Sequence, residues 1–191
     1  MLKTLTTVAA ALLLAGTAQA AVVNVDALAD SYNSGAGTGA FAGTLSAGES
    51  FSVTASATDL WSAGALPRWS NANGLTGNLL ATGSDESGQA AGTLIGQSFG
   101  LYTTGDGSFY YGELVGRIGS GAYFAIGTDY TGTAATGGNL MLYYWDSYSL
   151  DNVGSVAATV TTVPEPGSIA LMLAGLGLVG ALARRQARRA G

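Results

Sequence analysis

Apolar and polar side chains alternate with a period of two through the middle of the chain, and this pattern limits the possible folds more than any other feature. Residues 49–57 (ESFSVTASA) place Phe51 and Val53 on one face, and serine and threonine side chains on the other. Residues 155–161 (SVAATVT) repeat the pattern from Val156 onward. Successive side chains of a strand point to opposite faces of its sheet, so the alternation predicts half-buried strands.

Further short runs are rich in aliphatic and aromatic residues, and turn-forming residues separate them. These runs are 112–118, 122–126 and 139–145. No segment before Gly167 shows sustained helical spacing of apolar residues. Many short strands with frequent turn signals predict an all-β fold, an antiparallel β-sandwich over residues 21–162. Two stretches dominated by small residues, 31–45 and 128–138, are interpreted as loops.

The first 20 residues have the features of a secretory signal peptide. Lys3 supplies a positive charge, residues 8–15 (VAAALLLA) are an apolar run too short for a permanent membrane span, and Ala18 and Ala20 form a small-x-small cleavage signal. This order of features favours a signal peptide over a buried N-terminal helix. We therefore predict passage through the export machinery and cleavage by signal peptidase, with Ala21 as the mature N-terminus.

The C-terminal end carries a second targeting pattern. A Pro-Glu-Pro motif precedes 17 uncharged residues, 167–183 (GSIALMLAGLGLVGALA), and an arginine-rich tail follows. The residues that mark the pattern are Pro164, Glu165, Pro166, Arg184 and Arg185. The uncharged run approaches the ~20 residues of a transmembrane helix, and arginines next to such a helix stay on the cytoplasmic side. We therefore predict one C-terminal transmembrane helix in the inner membrane, with the preceding domain facing the periplasm.

The Pro-Glu-Pro motif, the short glycine-rich apolar run and the arginine tail together resemble the PEP-CTERM sorting domain over residues 163–189. The resemblance implies processing near the motif by an exosortase, a membrane transpeptidase, in bacteria that make exopolysaccharide. It also implies transfer from the inner membrane to the cell surface or the extracellular space. The alternative is a plain membrane anchor. On either interpretation, residues 163–191 form a segment separate from the β domain.

The composition of the exported part excludes several classes of function. The chain contains no histidine and no cysteine, which removes the commonest general base, thiol nucleophiles and thiolate metal ligands. Residues 21–163 contain 11 acidic and 2 basic side chains, a net charge of −9. Such a surface repels nucleic acid and is compatible with divalent cations or neutral sugars. We expect no catalysis, and we interpret Asp85, Glu86 and Asp106 as solvated turn residues.

Four motifs occur in a fixed order in the second half of the chain. They are GELVGRIG (112–119), YFAIG (123–127), GNLMLYYWD (138–146) and DNVGSV (151–156). Their order resembles the calcium-dependent galactose-binding bacterial lectins of the PA-IL type, and the similarity covers about residues 49–160. The resemblance implies a small jelly-roll-like β-sandwich and a galactose-like glycan as ligand.

The same resemblance implies a calcium site. In these lectins, one loop after a strand supplies an aspartate, a backbone carbonyl and two adjacent amides to Ca²⁺, and sugar hydroxyls complete the shell. The matching positions here are Asp146, Asp151 and Asn152, in a shorter loop with an acid in place of one amide. Calcium takes about 6–8 oxygen ligands of these kinds. The alternative is that all three are ordinary turn residues of a hairpin. The family's sugar-contacting histidine is absent, and no sugar-contacting residue is assigned.

Three functional hypotheses follow, in decreasing weight. The first is a non-catalytic, exosortase-sorted surface or matrix protein that is associated with exopolysaccharide and biofilm and binds glycan through calcium. The second is a purely structural coat protein without a ligand. The third is an enzyme that acts on polysaccharide.

Overall fold

The computed structural model describes residues 18–163 and 166–187 of the chain. The first range contains strands β1 (Gln19–Asp26), β2 (Ala40–Leu45), β3 (Ser50–Ala55), β4 (Trp61–Ser62), β5 (Trp69–Ser70), β6 (Leu79–Leu80), β7 (Leu94–Gly96), β8 (Leu101–Thr104), β9 (Gly107–Tyr110), β10 (Leu114–Ile118), β11 (Tyr123–Ala125), β12 (Asp129–Thr133), β13 (Gly138–Tyr144) and β14 (Val153–Val163). A turn of 3-10 helix, Asn33–Gly35, follows β1.

The strands form two main sheets. The larger sheet has the order β12-β3-β14-β4-β5, and β1 also pairs with the long strand β14. The smaller sheet has the order β11-β10-β13-β2, while β6–β7 and β8–β9 are separate hairpins. All of these strand pairs are antiparallel. The prediction of an all-β fold built from antiparallel sheets is therefore confirmed.

Alternate residues of both sheets enclose one aliphatic core. The larger sheet contributes Val53, Val156 and Val160, and the smaller one contributes Leu140 and Leu142, all at most 2% exposed. Burial of such side chains is the main favourable contribution to folding. The predicted inward faces are confirmed for Phe51 and Val53 and for the alternate apolar residues from Val156 to Val160, which lie in this core. Ala57, predicted on the same face as Phe51, is exposed beyond the end of β3.

An aromatic cluster lies on the opposite face of the smaller sheet. Successive residues of β13 and the residue after it alternate between the two faces, so Leu142 and Tyr144 belong to the aliphatic core while Tyr143 and Trp145 belong to the aromatic cluster. The β8–β9 hairpin covers this cluster, and the Trp145 indole N–H donates a hydrogen bond of 2.9 Å to the Tyr102 carbonyl. A third, smaller cluster consists of Leu60, Ala81 and Ile95, with Trp69 and Leu79 packed against it.

Two stretches interpreted as loops contain strands instead. Residues 31–45 include β2, where Ala40 and Ala42 are buried, and residues 128–138 include β12, which pairs with β3 along its whole length. In β2 the small residues Ala40 and Ala42 are core positions, whereas in β12 it is Tyr130 that packs against the core. A low-complexity composition therefore concealed two strands of the sandwich.

The C-terminal helix α1 spans Pro166–Ala187, and Pro166 stands at its first position as predicted. The helix is therefore confirmed, but its predicted membrane-spanning part (167–183) is not. Within the residues that the structure describes, no helix combines the length and the hydropathy that a membrane crossing requires.

Several predicted targeting features lie outside the described residues. These are the signal-peptide region up to residue 17 and the motif residues Pro164 and Glu165. The predicted cleavage residues Ala18, Ala20 and Ala21 are described, and all three are exposed at the start of β1. Cleavage after Ala20 stays a prediction.

Candidate ligand-binding site

The loop between β13 and β14, residues 145–152, carries all three predicted calcium ligands. Its first residue, Trp145, is fully buried and exchanges backbone hydrogen bonds of 2.9 Å with the segment that leads into β10, where Gly112 donates and Glu113 accepts. Its last residue, Asn152, is 3% exposed, and its side-chain amide donates a 2.9 Å hydrogen bond to the Ala27 carbonyl. The loop is thus held at both ends by buried contacts.

Asp146 is a buried carboxylate, only 4% exposed. Its Oδ1 atom accepts hydrogen bonds from the backbone N–H groups of Ser147, at 2.6 Å, and Tyr148, at 3.5 Å. Burial raises the pKa of Asp146, the charge of nearby Asp151 raises it further, and the two N–H groups and the Asn152 amide oppose this. The carboxylate is therefore only partly compensated by the protein.

Two buried polar atoms close to Asp146 have no hydrogen-bond partner among the described residues. They are the side-chain oxygen of Asn152 and the hydroxyl of Tyr144. Burial raises the pKa of Tyr144 well above its usual value, and the charges of Asp146 and Asp151 add to this effect. Buried polar groups are normally paired, so the Asn152 oxygen beside the buried carboxylate is a candidate position for a ligand, an ion or a water molecule.

Asp151 lies against the turn between β4 and β5. A Cβ atom at Gly64 would collide with the Asp151 carboxylate, and Gly64 has a φ of +112°, which favours glycine. Within this turn, the Ser62 hydroxyl donates to the Gly64 carbonyl at 2.8 Å. The absence of a side chain at Gly64 therefore makes room for Asp151.

Asp146 and Asp151 line a cavity of about 170 Å³, which we name the Asp146 pocket. Its lining consists of Ala63, Arg68, Phe99, Tyr111, Asp146, Ser147, Tyr148 and Asp151. The Arg68 guanidinium lies over the Phe99 ring at 4.5 Å, and the rings of Phe99 and Tyr111 meet edge to face at 5.0 Å. The pocket thus combines two carboxylates, one guanidinium and three aromatic rings.

The oxygen atoms beside the pocket fit calcium in type. Asp146 and Asp151 offer carboxylate oxygens, and Asn152 offers its unpaired amide oxygen. These are the hard ligands that Ca²⁺ prefers, and backbone carbonyls of the loop are of the same kind. Among the described residues, no three His, Cys, Asp or Glu side chains gather as a metal cluster, so a cation here depends on the amide.

Sequence reasoning identified the loop but missed most of the pocket wall. Arg68, Phe99, Tyr111 and Tyr148 come from other turns or from unmarked loop positions, and only the strand pairing brings them together.

The other acids that we interpreted as solvated turn residues differ among themselves. Asp106 does sit in a tight turn, between β8 and β9, but its carboxylate accepts a 2.7 Å hydrogen bond from the Tyr32 hydroxyl.

Comparison with solved structures finds chains of similar fold. A solved chain described as "EclA N-terminal domain; PllA-like lectin" is 20% identical, with a TM-score of 0.43, and the match covers 74% of this chain and 94% of that chain. Its description names a lectin, as does the sequence resemblance of residues 49–160, but a likeness of this size assigns no ligand here. No curated protein matches the chain in sequence.

The C-terminal segment gives a family match. A model described as "PEP-CTERM protein-sorting motif" matches residues 162–189, which confirms the resemblance of the Pro-Glu-Pro motif, the glycine-rich helix and the arginines that follow. Such a motif marks proteins that are exported and sorted to the surface by an exosortase. The chain therefore carries a PEP-CTERM sorting motif over residues 162–189, and this motif indicates a surface protein that is sorted by an exosortase.

Proposed function

We propose that this surface protein binds a neutral glycan in the Asp146 pocket, and that its role is to bind and not to catalyse. The observation that carries the proposal is the buried Asp146 carboxylate at the wall of a cavity with aromatic sides, in a loop whose last residue, Asn152, has a buried and unpaired side-chain oxygen. Exopolysaccharide of the producing bacterium, within a biofilm, is the proposed setting. The absence of histidine and cysteine supports a binding role.

The chemistry of the pocket suits a sugar. Sugar hydroxyls both donate and accept hydrogen bonds, and the pocket offers acceptors in Asp146 and Asp151 and a donor in Arg68. Phe99, Tyr111 and Tyr148 provide ring surfaces against which the C–H groups of a sugar pack. The volume of about 170 Å³ lies below the roughly 300–1,000 Å³ of pockets for drug-sized ligands. The occupant is therefore one terminal sugar of a longer glycan.

Calcium is the proposed cofactor, held by Asp146, Asp151 and Asn152. When bound, it supplies a positive charge that sugar hydroxyls coordinate. Asp146 is held in place by the N–H groups of Ser147 and Tyr148, and Asn152 by its hydrogen bond to Ala27. Arg68 places a positive charge in the same pocket, so glycan binding without calcium is the competing form of the proposal.

The test uses residues 21–163, the mature form of the β unit, with calcium and with EDTA. We expect calcium to raise the melting temperature, since a ligand that binds only the folded state adds about 2.7 kcal/mol at a hundredfold excess over Kd. Magnesium should raise it less, because it demands a tighter shell and loses water reluctantly. Retention on immobilised galactose should require calcium.

Asp146→Asn should abolish the calcium shift and the retention, and Asp85→Asn is the matched control that should leave both unchanged. Equal melting curves in calcium and EDTA, with retention intact, would favour binding without metal. Loss of both responses in the wild-type protein would leave a structural surface protein without this ligand.

A further inference from the structure

The start of β1 and the end of β14 lie side by side. In the antiparallel register of these strands, Gln19 is opposite Thr162 and Ala20 is opposite Thr161. The predicted signal-peptidase cut falls directly after Ala20, and the matched sorting motif begins at residue 162. Two processing signals far apart in sequence therefore meet at one position of the larger sheet.

Cleavage after Ala20 changes this edge of the sheet. The mature chain begins at Ala21, opposite Val160, so Thr161 and Thr162 lose their β1 neighbours, while Val163 has no β1 partner among the described residues before cleavage either. Their pairing with β3 on the other side remains, since Thr161, Thr162 and Val163 pair with Ser52, Phe51 and Ser50. Thr161 and Thr162 thus stay extended but gain a free edge, which continues the unpaired edge of Val163, itself 49% exposed.

A free strand edge is a binding surface for extended chain segments. Its unpaired N–H and C=O groups accept a further strand, a recognition mode in which main-chain hydrogen bonds give the affinity. Because the sorting motif begins inside β14, an enzyme that processes this motif approaches the chain next to that edge.

We propose that removal of the signal peptide opens the edge of Thr161 and Thr162, next to the free edge of Val163, as a docking surface for the sorting enzyme, which pairs an extended segment of its own with it. The proposal rests on sorting by an exosortase. On this proposal, removal of the signal peptide is a condition for efficient removal of the C-terminal tail. Until the signal peptide is cut off, Gln19 and Ala20 pair with the backbone of Thr162 and Thr161, which the sorting enzyme would otherwise bind.

The test uses the full chain in a host with the exosortase. A foreign signal peptide replaces residues 1–18, so that the mature protein begins at Gln19 and keeps the pairing partners of Thr161 and Thr162. The matched control has the same length but carries Ala20→Pro, because proline has no N–H and does not continue a strand pair. Mass spectrometry confirms each N-terminus, and pulse–chase labelling measures the removal of the tail.

We expect the chain that begins at Gln19 to lose its tail several-fold more slowly than the chain that begins at Ala21. Ala20→Pro should restore the faster rate, with similar melting temperatures for all three proteins. Equal rates in all three, or slow removal in both longer chains, would overturn the docking surface. An intact tail in the wild-type protein, or the same tail removal in a host without the exosortase, would instead refute sorting itself.

Discussion

Two loops of the β unit contain an aspartate next to serines, yet the two carboxylates differ in burial and in the direction in which their pKa is shifted. Asp85 lies in an open turn, where it accepts hydrogen bonds from the Ser87 hydroxyl and from the backbone N–H and hydroxyl of Thr82. These bonds, the one from Ser87 first, lower the pKa of Asp85 to about 2. Asp146 is buried, and burial raises its pKa.

The difference shows what separates a turn residue from a candidate ligand. In the Asp85 loop, the carboxylate accepts hydrogen bonds from groups two or three residues away, so it stabilises the turn in which it lies. The Asp146 loop is fixed through distant residues, and it leaves a carboxylate undercompensated and the Asn152 oxygen unpaired. Only the Asp146 loop therefore leaves polar groups with which a ligand can pair.

The largest effect should come from the packing that anchors the Asp146 loop. Trp145→Ala removes a fully buried indole whose ring stacks on Tyr32 at 4.0 Å. We expect the free energy of unfolding to fall by about 3–5 kcal/mol, as for other large aromatic truncations. Glu86→Ala, in the exposed Asp85 loop, should change it by less than about 0.5 kcal/mol. Urea unfolding of residues 21–163 measures both, and equal effects would remove the distinction between the loops.

A middle-sized effect should come from Asn152. Asn152→Ala removes the donor to the buried Ala27 carbonyl, so we expect a loss of about 1–3 kcal/mol in EDTA. In the other loop, Ser87→Ala removes a donor to the partly exposed Asp85, where water takes its place, and the loss should be smaller. Urea unfolding in EDTA is again the measurement. A cost for Asn152→Ala no greater than for Ser87→Ala would show that the burial of this amide is not important for the fold.

The smallest effect is a difference in pH dependence. The pKa of Asp85 is depressed from 3.8 to about 2, so the stability it contributes is present above pH 3.8 and is lost as the pH falls through about 2. The pKa of Asp146 is raised from 3.8, so its ionisation lowers the stability as the pH rises from 3.8 through the folded-state value.

In EDTA, Asp85→Asn should therefore flatten the acid side of the stability curve, and Asp146→Asn should remove the fall above pH 3.8. Unfolding midpoints measured between pH 2 and 7 would show the two changes in separate pH ranges. The same change in both variants would contradict the contrast between the loops.

The sequence was sufficient for the fold class and for several strands, and insufficient for two further strands and for the pocket wall. Alternation identified β3 and β14 because their inward residues are large enough to be counted. It failed for β2, where the alanines Ala40 and Ala42 occupy core positions with little hydropathy signal, and for β12, a five-residue strand in which Tyr130 alone packs against the core. Arg68 and Phe99 were beyond prediction as a pair, since their contact depends on how the turn after β4 and the segment before β8 meet in space.

The tryptophans are distributed one to each cluster of the β unit. Trp61 is fully buried in the aliphatic core, Trp145 is fully buried in the aromatic cluster beside Asp146, and Trp69 packs against the small cluster of Leu60, Ala81 and Ile95. The chain has three tryptophans in all. Each is therefore an intrinsic fluorophore for its own cluster, and a protein that keeps only Trp145 reports by its emission on occupancy of the adjacent pocket without any attached label.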